Sequence, residues 1–241
     1  MFHYLLCQHP AFNFTRMILL FLLVLTMGIP SWGQTFDGSM ARLLVNSSTM
    51  VMPQDDALIQ ERQDFLKNFK RIGMNTTFDD ATLLRILIES SEATRGVEIG
   101  SANGYGAIHM GMGFERTGGT LTTIDINPDM VRQCRTNIEK THLQDTVSCV
   151  EGDALKVLKE LEGPFDFAFI DAAKEQYLAY FRLLEPKLEP GSLIVADNVI
   201  QFANQMNDFL EEMRTSDNYE MVIVRASLEK EDGLAIIYKR K

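Results

Sequence analysis

The chain has 241 residues, 46% hydrophobic and 23% charged, the composition of a folded globular protein. That excludes a disordered tail, a collagen-like fibre and, with only three cysteines, a disulfide scaffold. Its 33 acidic against 23 basic residues give a formal net charge of -10, so no nucleic acid is expected as a partner through bulk charge.

Residues 1–33 stand apart from the rest. Arg16 is their single charged side chain, an apolar run from Met17 to Met27 follows it, and Ser31-Trp32-Gly33 makes a small-residue exit. A basic residue, a short apolar run and small residues are the parts of a secretory signal peptide. The expectation is export to the periplasm or the outside of the cell; a membrane anchor or a cytoplasmic protein with a buried N-terminal helix is the alternative. Contact with a membrane is expected only through this segment. Residues 34–74 read as an N-terminal extension, helical from Asp55 to Lys70.

From Asn75 onward strands and helices alternate. Thr77 or Asp79 caps a helix whose apolar face carries Leu83, Leu84, Ile86, Leu87 and Ile88. Runs of β type follow at Gly96–Ile99, Leu121–Ile126, Val147–Glu151, Phe165–Ile170 and Leu193–Ala196. Helical stretches lie between and after them at Tyr105–Phe114, Pro128–Lys140, Ala154–Leu161, Glu175–Leu184 and Asn204–Arg214. Two last strands, Tyr219–Val224 and Leu234–Lys239, have no helix between them and predict an antiparallel closing hairpin. The pattern predicts one α/β domain over residues 75–241: a doubly wound, Rossmann-like sheet, mostly parallel, with helices on both faces. Cys134 falls in a helix and Cys149 in a strand; pairing would need their Cα atoms close together, and two buried free thiols is the plainer reading.

Ligands of such sheets bind beyond the carboxyl ends of the strands, so the residues there carry the functional reading. The first strand ends Val97-Glu98-Ile99-Gly100 and runs on through Ser101-Ala102-Asn103-Gly104-Tyr105-Gly106. The glycines permit a tight turn and close approach of a ligand. Their spacing, Gly-x3-Gly-x-Gly, is not the dinucleotide fingerprint. The carboxylate of Glu98 suits a cationic ligand group better than a pyrophosphate. Asp125 ends the second strand about 20 residues beyond the glycines, where these folds bind ribose hydroxyls. This serves NAD and S-adenosylmethionine equally. Glu151-Gly152-Asp153 ends the third strand, where an adenine would be bracketed.

Asp171 closes the fourth strand and Asp197-Asn198 the fifth. Two carboxylates and a carboxamide make an all-oxygen donor set, which favours Mg²⁺ or another hard divalent cation over zinc. Lys174 lies close enough to Asp171 to share its cleft. Each has a plain reading as well: Asp171 and Asp197 as helix caps, Asn198 as a turn residue, Lys174 as a surface charge.

These motifs together resemble the metal-dependent class I S-adenosylmethionine O-methyltransferases, the group that includes the catechol and caffeoyl-CoA enzymes. The resemblance runs from Asn75 to Lys239. It is carried by Glu98-Ile-Gly-x-x-x-Gly-Tyr105, Thr123-Ile-Asp125, Glu151-Gly-Asp153, Phe165 through Asp171-Ala-x-Lys174-x-x-Tyr177, Asp197-Asn-Val199 and Asp232-Gly-Leu234. It implies S-adenosylmethionine bound by Glu98, Gly100, Ser101, Gly104, Tyr105, Asp125, Asp153 and Asp171. It further implies a metal on Asp171, Asp197 and Asn198, Lys174 as the catalytic base, and a small-molecule hydroxyl acceptor as the partner. A homodimer is left open. Two departures stand out. Only Val199 to Asn204 precedes the next helix, where the caffeoyl-CoA branch has a longer insertion. Ala235-Ile236-Ile237 follow Asp-Gly-Leu, where the animal catechol enzymes place a carboxylate. The competing readings are an exported, non-catalytic small-molecule-binding protein and an NAD-dependent reductase.

Overall fold

A computed structural model describes residues 56–241. The expected signal segment, and all of the extension before Asp56, lie outside the described residues. Among the described residues no helix is long and apolar enough to cross a membrane.

In chain order the elements are α1 (Asp56–Lys67), α2 (Phe78–Ser91), β1 (Arg95–Ile99), α3 (Tyr105–Thr117), β2 (Thr120–Asp125), α4 (Pro128–Lys140), β3 (Val147–Glu151), α5 (Ala154–Glu160), β4 (Phe165–Ile170), α6 (Tyr177–Leu184), β5 (Leu188–Ala196), α7 (Asn207–Thr215), β6 (Tyr219–Val224) and β7 (Leu234–Lys239). Of the two residues expected to cap α2, Thr77 does so. Thr77 accepts the Asp80 amide at the start of α2, and Asn127 accepts the Asp129 amide ahead of Pro128 at the start of α4.

Seven strands form one sheet in the order β3-β2-β1-β4-β5-β7-β6. The first five are parallel; β7 is antiparallel to both β5 and β6. The closing hairpin is therefore present, with its second strand inserted against β5 and its first at the sheet edge. The strand order reverses between β1 and β4, which opens a crevice at their carboxyl ends.

Side chains alternate across each strand, so two cores form. Val97, Ile99, Ala168 and Ile170 join one with α5, α6 and α7. Phe167 and Phe169 join the other with α2, α3 and α4. α1 is held to this second layer by Arg62, buried, which reaches Glu115 at 2.9 Å and the Thr141 carbonyl at 2.7 Å.

Several boundaries differ from the sequence reading, and two of the shifts have a visible cause. β5 starts at Leu188, not Leu193, because Pro190 and Gly191 are carried in an irregular register between the Phe165–Leu188 and Phe167–Leu193 pairs. α6 starts at Tyr177, because Lys174–Gln176 winds as a tighter 3₁₀ turn.

Candidate active site

A cleft of about 930 Å³ opens over the carboxyl ends of β1, β2, β4 and β5. Gly100, Asp125, Asp153, Asp171, Lys174, Asp197 and Asn198 all line it. So do three exposed apolar side chains, Met74, Ile126 and Phe202.

The glycine turn forms one wall. Gly100 has φ +100, and a Cβ there would lie 2.1 Å from the Asp171 carbonyl oxygen, so only glycine fits. The turn is stitched from outside by three asparagines. Asn75 donates to the Asn103 side chain at 2.8 Å, Asn103 donates to the Lys70 carbonyl at 3.1 Å, and Asn137 donates to the Asn103 carbonyl at 2.9 Å. The sequence reading gave none of them a role, because polar residues this far apart in the chain carry no motif.

Asp125 sits at the tip of β2 with its carboxylate already oriented. Oδ2 accepts the Ala102 amide and Oδ1 the Asn127 amide, each at 2.8 Å. Asp153 lines the cleft and also caps α5, accepting the Leu155 amide at 3.0 Å.

Four residues expected around a cofactor do not line this cleft. Ser101 and Tyr105 are buried, and Gly104 starts α3 against Cys134. Tyr105 packs on Phe69 and His109 instead. Glu98 is the fourth. In β1 it shares a face with Gly96, where a Cβ would lie 2.3 Å from the Phe114 ring of α3, so it points under that helix and not out of the strand tip. Its carboxyl accepts the Thr123 hydroxyl. Burial pushes its pKa up to about 8. The cleft is reached by the next two residues, Ile99 and Gly100.

At the ends of β4 and β5 the charges interlock. Lys174 Nζ donates to Asp171 Oδ1 at 2.8 Å and to the Tyr177 hydroxyl at 3.0 Å; that hydroxyl donates to the Asp197 carbonyl at 3.1 Å. Burial pushes the Tyr177 hydroxyl well above its ordinary pKa, so it acts here as a neutral link. Asn198 takes the left-handed region at φ 61 and donates its amide nitrogen to Asp232 at 3.1 Å, which turns its amide oxygen the opposite way. Asp232 also accepts the Ile200, Gln201 and Gly233 amides. Burial alone would raise its pKa, but these amides hold the carboxyl below the usual range.

Lys230, which the sequence reading did not single out, places its ammonium 2.7 and 2.9 Å from the two Asp197 oxygens. Burial, then the charge of Asp171, pushes the Asp197 pKa up to about 7, against the pull of Lys230. This pair bears on a cation at the site. Among the described residues no three His, Cys, Asp or Glu side chains form a metal cage. The oxygen set of Asp171, Asp197 and Asn198 is of another kind, and an ammonium already stands as a cation on its most buried member. The chemistry of the donors therefore fits a hard divalent ion.

Comparisons with known proteins point to one family. A family model described as O-methyltransferase matches residues 47–231. A catechol O-methyltransferase of Niastella koreensis is 32% identical over 152 residues, covering 61% of this chain and 68% of the relative. Caffeoyl-CoA O-methyltransferase 2 of Zea mays is 32% identical over 158 residues, covering 63% of this chain and 60% of the relative. Among solved structures, an O-methyltransferase from Bacillus cereus in complex with SAH superposes with a TM-score of 0.68 at 24% identity, covering 79% of this chain and 94% of the other. At that identity the likeness is one of fold.

Proposed function

The chain belongs to the O-methyltransferase family, and on that premise we propose that it transfers the methyl group of S-adenosylmethionine to one hydroxyl of a small, catechol-like acceptor, with the help of a hard divalent ion such as Mg²⁺. The observation that carries this reading is that Lys174, Asp171, Asp197 and Asn198 share one cleft with Asp125 and Asp153. The names of the relatives support a phenolic or catechol acceptor. The short link from Val199 to Met206 offers little chain to hold a CoA ester, which favours the smaller acceptor.

Asp125, its carboxylate held by two backbone amides, would accept from the ribose hydroxyls. Ile126 and the residues around Asp153 would bracket the adenine, and the bare backbone at Gly100 would admit the amino-acid end. Asp171, Asp197 and Asn198 would hold the divalent ion. When bound, the sulfonium supplies an electrophilic methyl group and the ion lowers the pKa of the acceptor hydroxyl. Lys174 Nζ would take the hydroxyl proton, with Tyr177 and Asp171 fixing where that nitrogen sits. Much of the acceleration would come from holding the two reactants in line.

The test is turnover of S-adenosylmethionine against a panel of catechols and single-hydroxyl phenols, with Mg²⁺ and with excess EDTA. Methylation of catechols that stops in EDTA is expected. Asp197→Ala should abolish it with cofactor affinity nearly unchanged. Full activity in EDTA would remove the ion from this reading, and no transfer to any hydroxyl would remove the acceptor class.

A further inference from the structure

Lys230 sits on the connection between β6 and β7 and lines the cleft from above β5. Its ammonium touches both oxygens of Asp197 and, at 2.9 Å, Oδ2 of Asp80 in the first turn of α2. The two carboxylates are 3% and 1% exposed, so one ammonium serves two buried acids. The backbone N–H of Asn198 also donates to Asp197 Oδ1, at 2.6 Å. A cation approaching Asp197 therefore meets a carboxylate whose oxygens are already engaged by a positive group.

Asp80 has no role in the proposed methyl transfer, and its burial needs a reason. Its Oδ1 has no hydrogen-bond partner among the described residues. A buried carboxylate without a counter-charge is costly, so Asp80 has a standing demand for the ammonium. Side chains on either side of Lys230 are engaged elsewhere. Glu229 pairs with Arg71 at 2.8 Å, and Asp232 accepts three backbone amides. Only the flexible lysine stem has to move for the ammonium to favour one acid over the other.

We infer that Lys230 is the resident counter-cation of Asp197, that it competes with the divalent ion for that carboxylate, and that Asp80 retains the ammonium when the ion binds. The inference rests on the reading of Asp171, Asp197 and Asn198 as the ion's ligands. It makes ion binding an exchange of one cation for another at Asp197, with no stage at which either acid is left unpaired.

The test uses the purified chain and Mn²⁺ alone, with free Mn²⁺ followed by electron paramagnetic resonance and no cofactor or acceptor present. Lys230→Met is expected to bind Mn²⁺ about tenfold more tightly or better, since the ion no longer displaces charge-assisted hydrogen bonds. Asp80→Asn is expected to bind it more weakly, because the ammonium then has Asp197 alone. In the Lys230→Met background the Asp80→Asn effect should shrink to less than about twofold, as expected for two residues that act through each other. Mn²⁺ binding that is unchanged or weaker in Lys230→Met overturns the competition and leaves the ion reading standing. Mn²⁺ binding by none of the proteins overturns both. Circular dichroism checks that each variant is folded. Should Lys230→Met fail to fold, Lys230→Gln against Asp80→Asn carries the same comparison.

Discussion

The α-carbon of Gly100 lies against the main-chain carbonyl of Asp171: a Cβ at residue 100 would come within 2.1 Å of that oxygen. The contact joins the tip of β1 to the tip of β4, and the Asp171 amide completes it by donating to the Ile99 carbonyl at 2.9 Å. The glycine wall and the acidic end of the cleft are thus in direct contact, at the place where the strand order reverses.

Gly100→Ala meets two penalties, the positive φ of +100 and contact with a backbone atom that has little room to yield. A loss of about 3 kcal/mol or more is expected from strain of this kind. Urea denaturation monitored by circular dichroism measures it. A variant as stable as the parent would mean that β1 and β4 separate freely at this point, contrary to the packing described.

Asp125→Ala should weaken S-adenosylmethionine binding by about 1.5–3 kcal/mol, the size of hydrogen bonds to a charged group. The variant also frees the amides of Ala102 and Asn127, so Asp125→Asn, which keeps an acceptor, should lose less. Calorimetry on both decides the matter. Equal affinity in the parent and the alanine variant would take the ribose role from this residue.

The order of elements was legible in the sequence because buried parallel strands read as short apolar runs between helices with capping residues at their starts. Positions at strand tips, Asp125, Asp153, Asp171, Asp197 and Asn198, were legible for the same reason: a residue that ends a strand of this sheet lines the cleft. Glu98 stands one residue before Ile99, the last of β1, and alternation sends its side chain under α3 and not into the cleft. Lys230 and Asp80 were hidden by distance in sequence. They meet Asp197 only because the loop after β6 and the first turn of α2 converge over β5, and no local pattern announces such a meeting.

Glu98 gives a pH dependence. Its folded-state pKa of about 8 lies above the ordinary 4.5, so the folded protein binds the more proton between those values. Its contribution to stability is fully present below about pH 4.5 and is lost as pH rises to about 8. The total is on the order of a few kcal/mol. Glu98→Gln keeps a neutral partner for Thr123 and lacks the titration. Denaturation of the parent and variant at several pH values should show the parent losing stability relative to the variant across this window. Parallel curves would place a charged Glu98 in the folded state.

Cys134 on α4 and Cys149 on β3 are free thiols whose sulfurs lie 3.1 Å apart. Hydrogen bonding from Cys134, and then the Arg135 charge, pull the Cys149 thiol down against its burial; the same hydrogen bond and burial push Cys134 up. Cys149 is also the less buried of the two, so iodoacetamide should modify it first. With oxidised glutathione, the Cys149 thiolate attacks the disulfide and releases one glutathione thiolate; Cys134 then displaces the second and closes an intramolecular bridge. The chain should lose two hydrogens by mass and gain no glutathione. Residues 15 apart enclose a loop whose closure is worth about 3 kcal/mol at most, less any strain. Because the Cys134 sulfur abuts Gly104 at the start of α3, the bridge should also be felt in the glycine wall of the cleft, as a change in cofactor affinity. Stable mixed disulfides with glutathione at both positions would show that the two sulfurs do not meet in solution as they do in this structure.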